Sequence, residues 1–177
     1  MNEDELIDGC IRQEVHFQKI LYEKYAKKMM GVCLRYCNSR MEAEDVLQDS
    51  FIKIFDKIKT FKKIGSLEGW IKRIMINSAL KSNDKRVFKF EPGSLDHVNE
   101  QAYSAKAIEK LETKNLLEII QKLPQGYKTV FNMYAIEGYS HKEIANQLNI
   151  SEVTSRTQYS RAKKLLIKLL NEYGIER

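Results

Sequence analysis

The sequence has few residues that interrupt helices, since its 177 residues include only two prolines and eight glycines. Because proline and glycine are the strongest breaks in regular structure, their scarcity predicts long uninterrupted segments and an all-α fold. No stretch approaches the roughly 18 apolar residues of a membrane-spanning helix, so we expect no membrane insertion. The N-terminal residues MNEDELID lack the apolar run of a signal peptide. Three cysteines without an export signal indicate a reducing compartment, and we therefore predict a cytoplasmic protein.

Catalytic and metal-binding patterns are also missing. We find no glycine-rich phosphate loop and no serine, histidine and aspartate or cysteine and histidine arrangement that suggests a nucleophile. We therefore predict that the chain is not an enzyme and uses no cofactor. Cys33 and Cys37 are spaced by one helical turn, but zinc would need a fourth ligand at a recognisable spacing. We expect buried structural thiols and no metal site, because free cysteine behaves as a small hydrophobe.

The composition favours a folded chain with a polyanionic partner among its options. Hydrophobic residues make up 43% and charged residues 31%, which argues against wholesale disorder. A net charge of +6 is compatible with nucleic-acid binding without requiring it, because whole-chain charge bears on association and not on fold.

Apolar periodicity divides the chain into two small helical domains. We predict a first domain at 1–87, with two helices over 3–38, a third over about 41–58, and a fourth opening near Trp70. Periodicity lapses over 88–104 around a Pro-Gly pair, which predicts a flexible linker.

The second predicted domain, 105–177, resumes helical periodicity at Ala105. Pro124 is expected to begin a helix whose inward face is Val130, Phe131 and Tyr134.

The stretch from Tyr139 to Leu166 predicts a helix-turn-helix. Ser140 and Glu143 fit a capping box, Asn149 and Ile150 break the run, and Ser151 is a good N-cap for a second helix. His141 has no visible partner in the sequence, and we expect it to be solvated.

The second helix of this motif separates its side chains between two faces. Four residues are expected to pack inward: Tyr159, Ala162, Leu166 and Leu169. Hydroxyl and basic residues are left outside, which suits a helix in the major groove of DNA: Thr154, Arg156, Thr157, Ser160, Arg161, Lys163 and Lys164. The alternative is a merely solvated basic face, which many helices carry. The cap, the break and the separation of side chains together favour DNA binding.

The segment EAEDVLQDSF predicts an acidic helix. Glu42, Glu44 and Asp45 lie near its first turn, where negative charge is favoured, and Lys53 is placed to pair with Asp49. Helix electrostatics alone accounts for most of this pattern. A protein partner with a basic surface remains open.

The segment WIKRIMINSALKSNDKR combines an aromatic residue with a basic tail. We expect Trp70 in the core, and we expect asparagine and serine to break the helix because their side chains compete for backbone hydrogen bonds. Such a loop would present Asn77 and Lys81 to a nucleotide, since aromatic and basic residues together are typical of single-strand binding surfaces. Four further cations would hold phosphates: Lys72, Arg73, Lys85 and Arg86. The alternative for the basic tail is a frayed helix end.

Over nearly its full length the chain resembles the extracytoplasmic-function (ECF) group of bacterial RNA polymerase sigma factors. EAEDVLQDSFIKIFDKI looks like their polymerase-docking helix, and GSLEGWIKRIMINSAL looks like their promoter-melting segment. LPQGYKTVFNMYAIEGYSHKEIANQLNISEVTSRTQYSRAKKLL looks like their promoter-binding domain. The order and the spacing of the three segments also match.

The resemblance implies a role for each segment. It places Asp45, Gln48 and Asp49 against the clamp helices of the polymerase's largest subunit. It assigns Asn77 and Lys81 to a loop that captures a flipped base of the −10 element, with Lys72, Arg73, Lys85 and Arg86 on the melted strand and adjoining duplex. It assigns the outward face of the second helix of the motif to the −35 element: Thr154, Arg156, Thr157, Ser160, Arg161 and Lys164.

The implied partners are core RNA polymerase, promoter DNA and an inhibitory anti-sigma protein. The alternative interpretation is a stand-alone helix-turn-helix regulator of duplex DNA. Two positions depart from the family pattern. Ser155 stands where an inward aliphatic residue is more usual, and we expect looser packing there. Lys81 stands where some members carry a second asparagine.

Overall fold

The structure, a computed structural model, describes the backbone of residues 2–87 and 114–173 and the side chains of residues 2–82 and 117–173. Every regular element within these ranges is helical, in agreement with the predicted all-α fold. The chain divides into two compact units, Met1–Phe88 and Lys89–Arg177. The predicted linker at 88–104 and the predicted return of periodicity at Ala105 lie outside the described residues.

The N-terminal unit contains four α-helices in its described part. They are α1 (Glu3–Ile11), α2 (Val15–Tyr36), α3 (Arg40–Lys57), which ends in a 3-10 turn at Ile58–Thr60, and α4 (Leu67–Val87).

Side-chain caps fix where two of these helices begin. The Asn2 side chain accepts hydrogen bonds from the amides of Asp4 and Glu5 at the start of α1, and Ser39 Oγ accepts from the Glu42 amide at the start of α3. Each cap satisfies amide groups that have no partner inside the helix.

The core of this unit forms where α2, α3 and α4 pack together, with α1 against α2. Fully buried side chains come from all four helices, among them Leu6, Leu21, Met29, Ile54, Ile71 and Met75. Each such side chain contributes about 1.5–3 kcal/mol through removal of apolar surface from water. Burial of this interlocking set holds the exposed faces of α3 and α4 on a rigid support.

All three cysteines lie in this core, as predicted for Cys33 and Cys37. Cys33 Sγ is 4.0 Å from Met75 Sδ, and Cys10, Cys33 and Cys37 are all free and buried. Burial raises the pKa of Cys10 and of Cys33 to about 11, so both thiols stay protonated. Among the described residues, no group of histidine, cysteine, aspartate or glutamate side chains is placed to hold a metal ion.

Helix α4 corrects one prediction. The expected break after Asn77 is absent, and the helix continues without interruption to Val87. Ser78 is buried, and its Oγ accepts a hydrogen bond from Lys53 Nζ at 3.1 Å, while Ala79 beside it is fully buried. Packing on α3 therefore outweighs the local competition that asparagine and serine offer the backbone. The same bond shows that Lys53 reaches α4 rather than Asp49.

The C-terminal unit contains four α-helices in its described part. They are α5 (Lys114–Gln121), α6 (Gln125–Phe131) with a π-helical turn at Asn132–Ile136, α7 (His141–Leu148) and α8 (Glu152–Glu172). Their core gathers side chains of α5, of the turn that follows it and of α8: Ile119, Ile120, Leu123, Ala162 and Leu166.

Proline at 124 caps α6, as predicted, and Val130 is buried. Tyr134 was expected to face inward, but 38% of it is exposed. Its ring instead covers His141 on the neighbouring helix. No helix within the described ranges is long and apolar enough to cross a membrane.

Candidate binding surfaces

The helix-turn-helix forms from α7 and α8 as the sequence predicts. Ser140 Oγ accepts from the Glu143 amide at 3.2 Å, and Glu143 Oε2 accepts from the Ser140 amide at 2.8 Å, which completes the capping box. Asn149 ends α7 in the left-handed conformation at φ 52°, which asparagine tolerates better than most residues. Ser151 Oγ then accepts from the Thr154 amide at 2.9 Å and starts α8.

The inward joint between α7 and α8 is polar. Ser155 is fully buried, and its Oγ lies 2.9 Å from Nδ1 of His141. The His141 residue as a whole is only 8% exposed. The His141 ring stacks on Tyr134 at 4.2 Å between centroids and meets the edge of Tyr159 at 5.8 Å. The expectation of a solvated His141 is therefore wrong. Ser155, which stands where an aliphatic residue is more usual, contacts His141 specifically. The expectation of looser packing at this position is therefore wrong as well.

Burial lowers the pKa of His141, and the positive charge of Arg156 lowers it further, against an opposing effect from Glu152. The imidazole is thus held neutral, and α7 and α8 are joined by a neutral hydrogen bond within an aromatic cluster.

The outward face of α8 carries the predicted hydroxyl and basic residues. Arg156, Thr157, Ser160, Arg161 and Lys164 are all exposed. Arg161 and Lys164 form no ion pair with another described side chain, whereas Arg156 Nη2 contacts Glu152 Oε1 at 2.5 Å.

Thr154 differs from its neighbours on α8. It is half-buried, and its hydroxyl lies 2.8 Å from Ser151 Oγ in the cap of α8. Among the residues predicted for the −35 element, Thr154 is the one whose hydroxyl and amide both contact Ser151, the N-cap residue of α8.

One stripe of α4 presents three of the residues predicted for the −10 element. Arg73, Asn77 and Lys81 are exposed and recur at four-residue steps, which places them on one face. Lys72 is half-buried and lies about 140° around the helix from Asn77, so the structure does not group it with them. The side chains of Lys85 and Arg86 lie outside the described residues.

An aromatic pair that the sequence pattern does not predict lies at the start of this stripe. Trp70 is half-buried rather than fully in the core, and its ring is 5.5 Å from that of Phe61. The sequence does place one aromatic residue before the KKIGS segment and one after it, which is the feature that could have suggested the pair. Whether the two rings meet depends on how the backbone turns between them.

The acidic residues of α3 that precede Ser50 separate into two groups. Glu42 accepts from the Asn38 amide at 3.0 Å, and Glu44 pairs with Arg40 at 2.8 Å, so both support the start of the helix. Asp45, Gln48 and Asp49 are exposed on one face. Neither aspartate forms an ion pair with another described side chain. Helix electrostatics accounts for the first group and leaves the second without a structural role.

Comparison with known families matches both units in order. Residues 21–86 match the family Sigma-70 region 2, and residues 113–166 match the family Sigma-70, region 4. The chain is 27% identical to the RNA polymerase sigma-H factor of Pseudomonas aeruginosa, over 95% of this chain and 93% of that protein. It is 29% identical to the ECF sigma factor SigW of Bacillus subtilis, over 84% and 86%. The chain belongs to the ECF sigma factors.

Solved structures share the fold of this sigma factor. One is the sigma factor RpoE in complex with the anti-sigma factor NepR from Bartonella quintana, with a TM-score of 0.57, 18% identity, and coverage of 86% of this chain and 96% of that one. Another is CnrH in complex with the cytosolic domain of CnrY, with a TM-score of 0.52, 19% identity, and coverage of 94% and 96%.

The matched regions contain the surfaces described above. In this sigma factor, the region 2 match includes α3 and nearly all of α4, and the region 4 match includes α6, α7 and most of α8. The acidic face, the α4 stripe and the outward face of α8 therefore all lie on parts of the chain that define the family.

Proposed function

We propose that this sigma factor binds core RNA polymerase through α3, engages a melted −10 element through α4, and reads a −35 element through α8. The observation that carries the proposal is the distribution of exposed charged side chains, most of which form no ion pair within the described part of the chain. These are acidic on one face of α3, and basic on the outward faces of α4 and α8.

The acidic face of α3 suits a basic protein surface. Asp45 and Asp49 are one turn apart, where like charges destabilise a helix by a few tenths of a kcal/mol. Within the described side chains nothing offsets this repulsion. A basic partner would remove the repulsion, and complementary charge would fix the orientation of the partner on α3. Gln48, which lies between the two aspartates in the sequence, would donate or accept a hydrogen bond with the same partner.

The α4 stripe suits a single strand with a flipped base. Unstacking a base costs a few kcal/mol, which contacts to the extruded base must offset. The Asn77 amide can both donate to and accept from a base edge, while Arg73 and Lys81 on the same face attract phosphates. Because α4 is continuous, these groups would project from a rigid helix and not from the predicted loop. Lys72, Lys85 and Arg86 would contact phosphates of the adjoining duplex.

The outward face of α8 suits a major groove. Arginine pairs with guanine O6 and N7, and small hydroxyl residues approach bases or phosphates. We assign base reading to Arg156 and Arg161, shorter contacts to Thr157 and Ser160, and a phosphate contact to Lys164. Thr154 would stay in the cap and position the helix.

The division of roles extends to the whole chain. Residues 1–87 would dock on polymerase and open the −10 element, residues 105–177 would hold the −35 element, and residues 88–104 would connect them. The sigma factor would act by binding alone, in the cytoplasm. An anti-sigma protein is a further proposed partner, supported by family membership and by the complexes in which RpoE and CnrH were solved.

Run-off transcription tests the proposal. Purified core polymerase would transcribe a library of promoter fragments with and without this chain. We expect discrete new transcripts that share two spaced upstream elements. Absence of both transcripts and co-purification with core polymerase would refute the proposal. Tight sequence-specific binding of duplex DNA by the free chain would instead support the stand-alone regulator.

Two variants separate the proposed surfaces. Arg161→Ala should weaken promoter use and leave polymerase binding unchanged, whereas Asp49→Ala should weaken polymerase binding. Matched controls are Lys168→Ala, two turns further along α8, and Glu23→Ala on α2, both of which remove exposed charges outside the proposed surfaces. Indistinguishable effects of Arg161→Ala and Asp49→Ala in pull-down and transcription assays would contradict the division.

A further inference from the structure

An apolar side chain interrupts the polar reading face of α8 at its first turn. Val153, the second residue of the helix, is 72% exposed. No other large apolar side chain described in the C-terminal unit is exposed to this extent, and the next are Tyr173 at 53% and Ile167 at 50%. Nothing within the described part of this unit covers it.

Local structure does not account for a valine here. Valine has a lower helix propensity than alanine because its branched side chain loses rotamer freedom. The capping of α8 depends on Ser151 and Thr154, not on this position. An exposed valine in the first turn therefore contributes little to the helix that carries it.

The position of Val153 places its methyl groups among the residues assigned to base reading. Arg156 and Thr157 follow it at three and four residues, the spacing at which side chains share a helix face. The Arg156 guanidinium is 2.5 Å from Glu152. With that pairing in place, the methyl groups of Val153 remain open to solvent.

We infer that Val153 contacts the 5-methyl group of a thymine in the −35 element, beside the base pair that Arg156 reads. Thymine is the base that presents a methyl group in the major groove, and apolar side chains recognise it by contact. N-terminal residues of a recognition helix are those that reach base edges. Val153 is thus a specificity-determining residue for an A·T pair. This inference rests on the proposed function.

Deoxyuridine provides a probe for this contact, because it differs from thymidine in the missing 5-methyl group and keeps every hydrogen-bonding group. Each −35 thymine of a promoter that the sigma factor uses would be replaced singly by deoxyuridine, on either strand. Run-off transcription with core polymerase would then be measured for the native chain and for Val153→Ala. The substitution is exposed and favours the helix, so it does not endanger folding.

For the native chain, we expect one thymine whose replacement lowers transcription about fourfold at limiting sigma factor, the factor that one buried methyl group supplies. Val153→Ala should lower transcription from the unmodified promoter by a similar factor and should be insensitive to deoxyuridine at that same position. Ile167→Ala, which removes another exposed apolar side chain of α8, should keep the full sensitivity of the native chain.

Two results would overturn the inference while leaving the proposed function intact. One is equal sensitivity of the native chain and Val153→Ala at every −35 thymine. The other is a −35 element that contains no A·T pair. A complete lack of core-dependent transcription would overturn the proposed function and this inference with it, so the two failures are distinguishable.

Discussion

The buried pair of His141 and Ser155 makes the joint of the helix-turn-helix sensitive to one hydroxyl group. Ser155→Ala removes the partner of His141 Nδ1, which lies 2.9 Å away in a buried site. A buried polar atom left without a partner costs about 1–3 kcal/mol. We therefore expect Ser155→Ala to lower the free energy of unfolding of the C-terminal unit by that amount, although alanine is the better helix former.

Replacing both partners should cost much less than replacing one. The variant His141→Phe keeps an aromatic ring against Tyr134, and combining it with Ser155→Ala leaves no unpaired polar atom. Removal of both members of a buried pair in a similar shape is nearly neutral. Because each single replacement leaves one polar partner unpaired at about 1–3 kcal/mol, the double-mutant cycle should give a coupling of at least about 2 kcal/mol between the two positions.

The buried position of His141 also predicts how the free energy of unfolding of the C-terminal unit depends on pH. The pKa of His141 is lowered in the folded chain from 6.5, with burial as the main cause. Below pH 6.5 the unfolded chain therefore binds a proton that the folded chain does not, so stability decreases as pH decreases. About one pH unit above 6.5 the histidine is neutral in both states and contributes no slope. We expect a constant stability of this unit above about pH 7.5 and a decline below about pH 6.5 that His141→Phe abolishes.

Hydrogen exchange read by mass spectrometry on peptides from 117–173 measures this stability locally. Trp70 is the sole tryptophan and lies in the N-terminal unit, so its fluorescence reports unfolding of the other unit as an internal control. Unchanged exchange in Ser155→Ala would refute the proposed role of the hydrogen bond. A slope between pH 5.5 and 6.5 that persists in His141→Phe would refute the assignment of the titration.

Four further substitutions at three positions test the packing and the turn of the backbone. Gly9→Ala places a methyl group into the ring of Phe17, so it should destabilise the N-terminal unit by about 1–3 kcal/mol in Trp70-monitored unfolding. Gly31→Ala has open space and should stabilise the unit by about 0.5–1 kcal/mol; equal effects of the two glycines would contradict the packing argument. Asn149→Ala should cost about 1 kcal/mol because of its positive φ, and Asn149→Gly should not; a larger loss for glycine in hydrogen exchange of α7 and α8 would contradict the left-handed turn.

Local sequence rules were sufficient for much of the fold and for α8, the helix that we propose reads DNA. The capping residues Ser140, Glu143 and Ser151 act on amides within three residues, so the sequence alone predicts where α7 and α8 begin. The outward position of Arg161 and the burial of Ala162 follow from helical periodicity in the same way. The capping predictions, which depend on neighbours within one turn, agree with the structure.

Predictions at positions whose partners are distant in the sequence do not agree with the structure. Ser78 looked like a helix break and Ser155 looked like a packing defect, yet both are buried serines whose hydroxyl groups meet a side chain far away in sequence. Lys53 is 25 residues from Ser78, and His141 is 14 residues from Ser155. Periodicity and local competition for hydrogen bonds carry no information about such partners, because the approach of two helices decides them.

The Lys53 contact has a consequence for the docking surface. A lysine four residues after an aspartate on an isolated helix can pair with it weakly, and a basic partner would then have to displace Lys53 in order to reach Asp49. Lys53 Nζ instead donates a hydrogen bond to Ser78 Oγ on α4. Asp45 and Asp49 are therefore not paired with Lys53 on the exposed face of α3. The packing that makes α4 continuous thus also leaves α3 acidic. The single contact between Lys53 and Ser78 therefore bears on both surfaces that we propose for region 2, the stripe on α4 and the acidic face of α3.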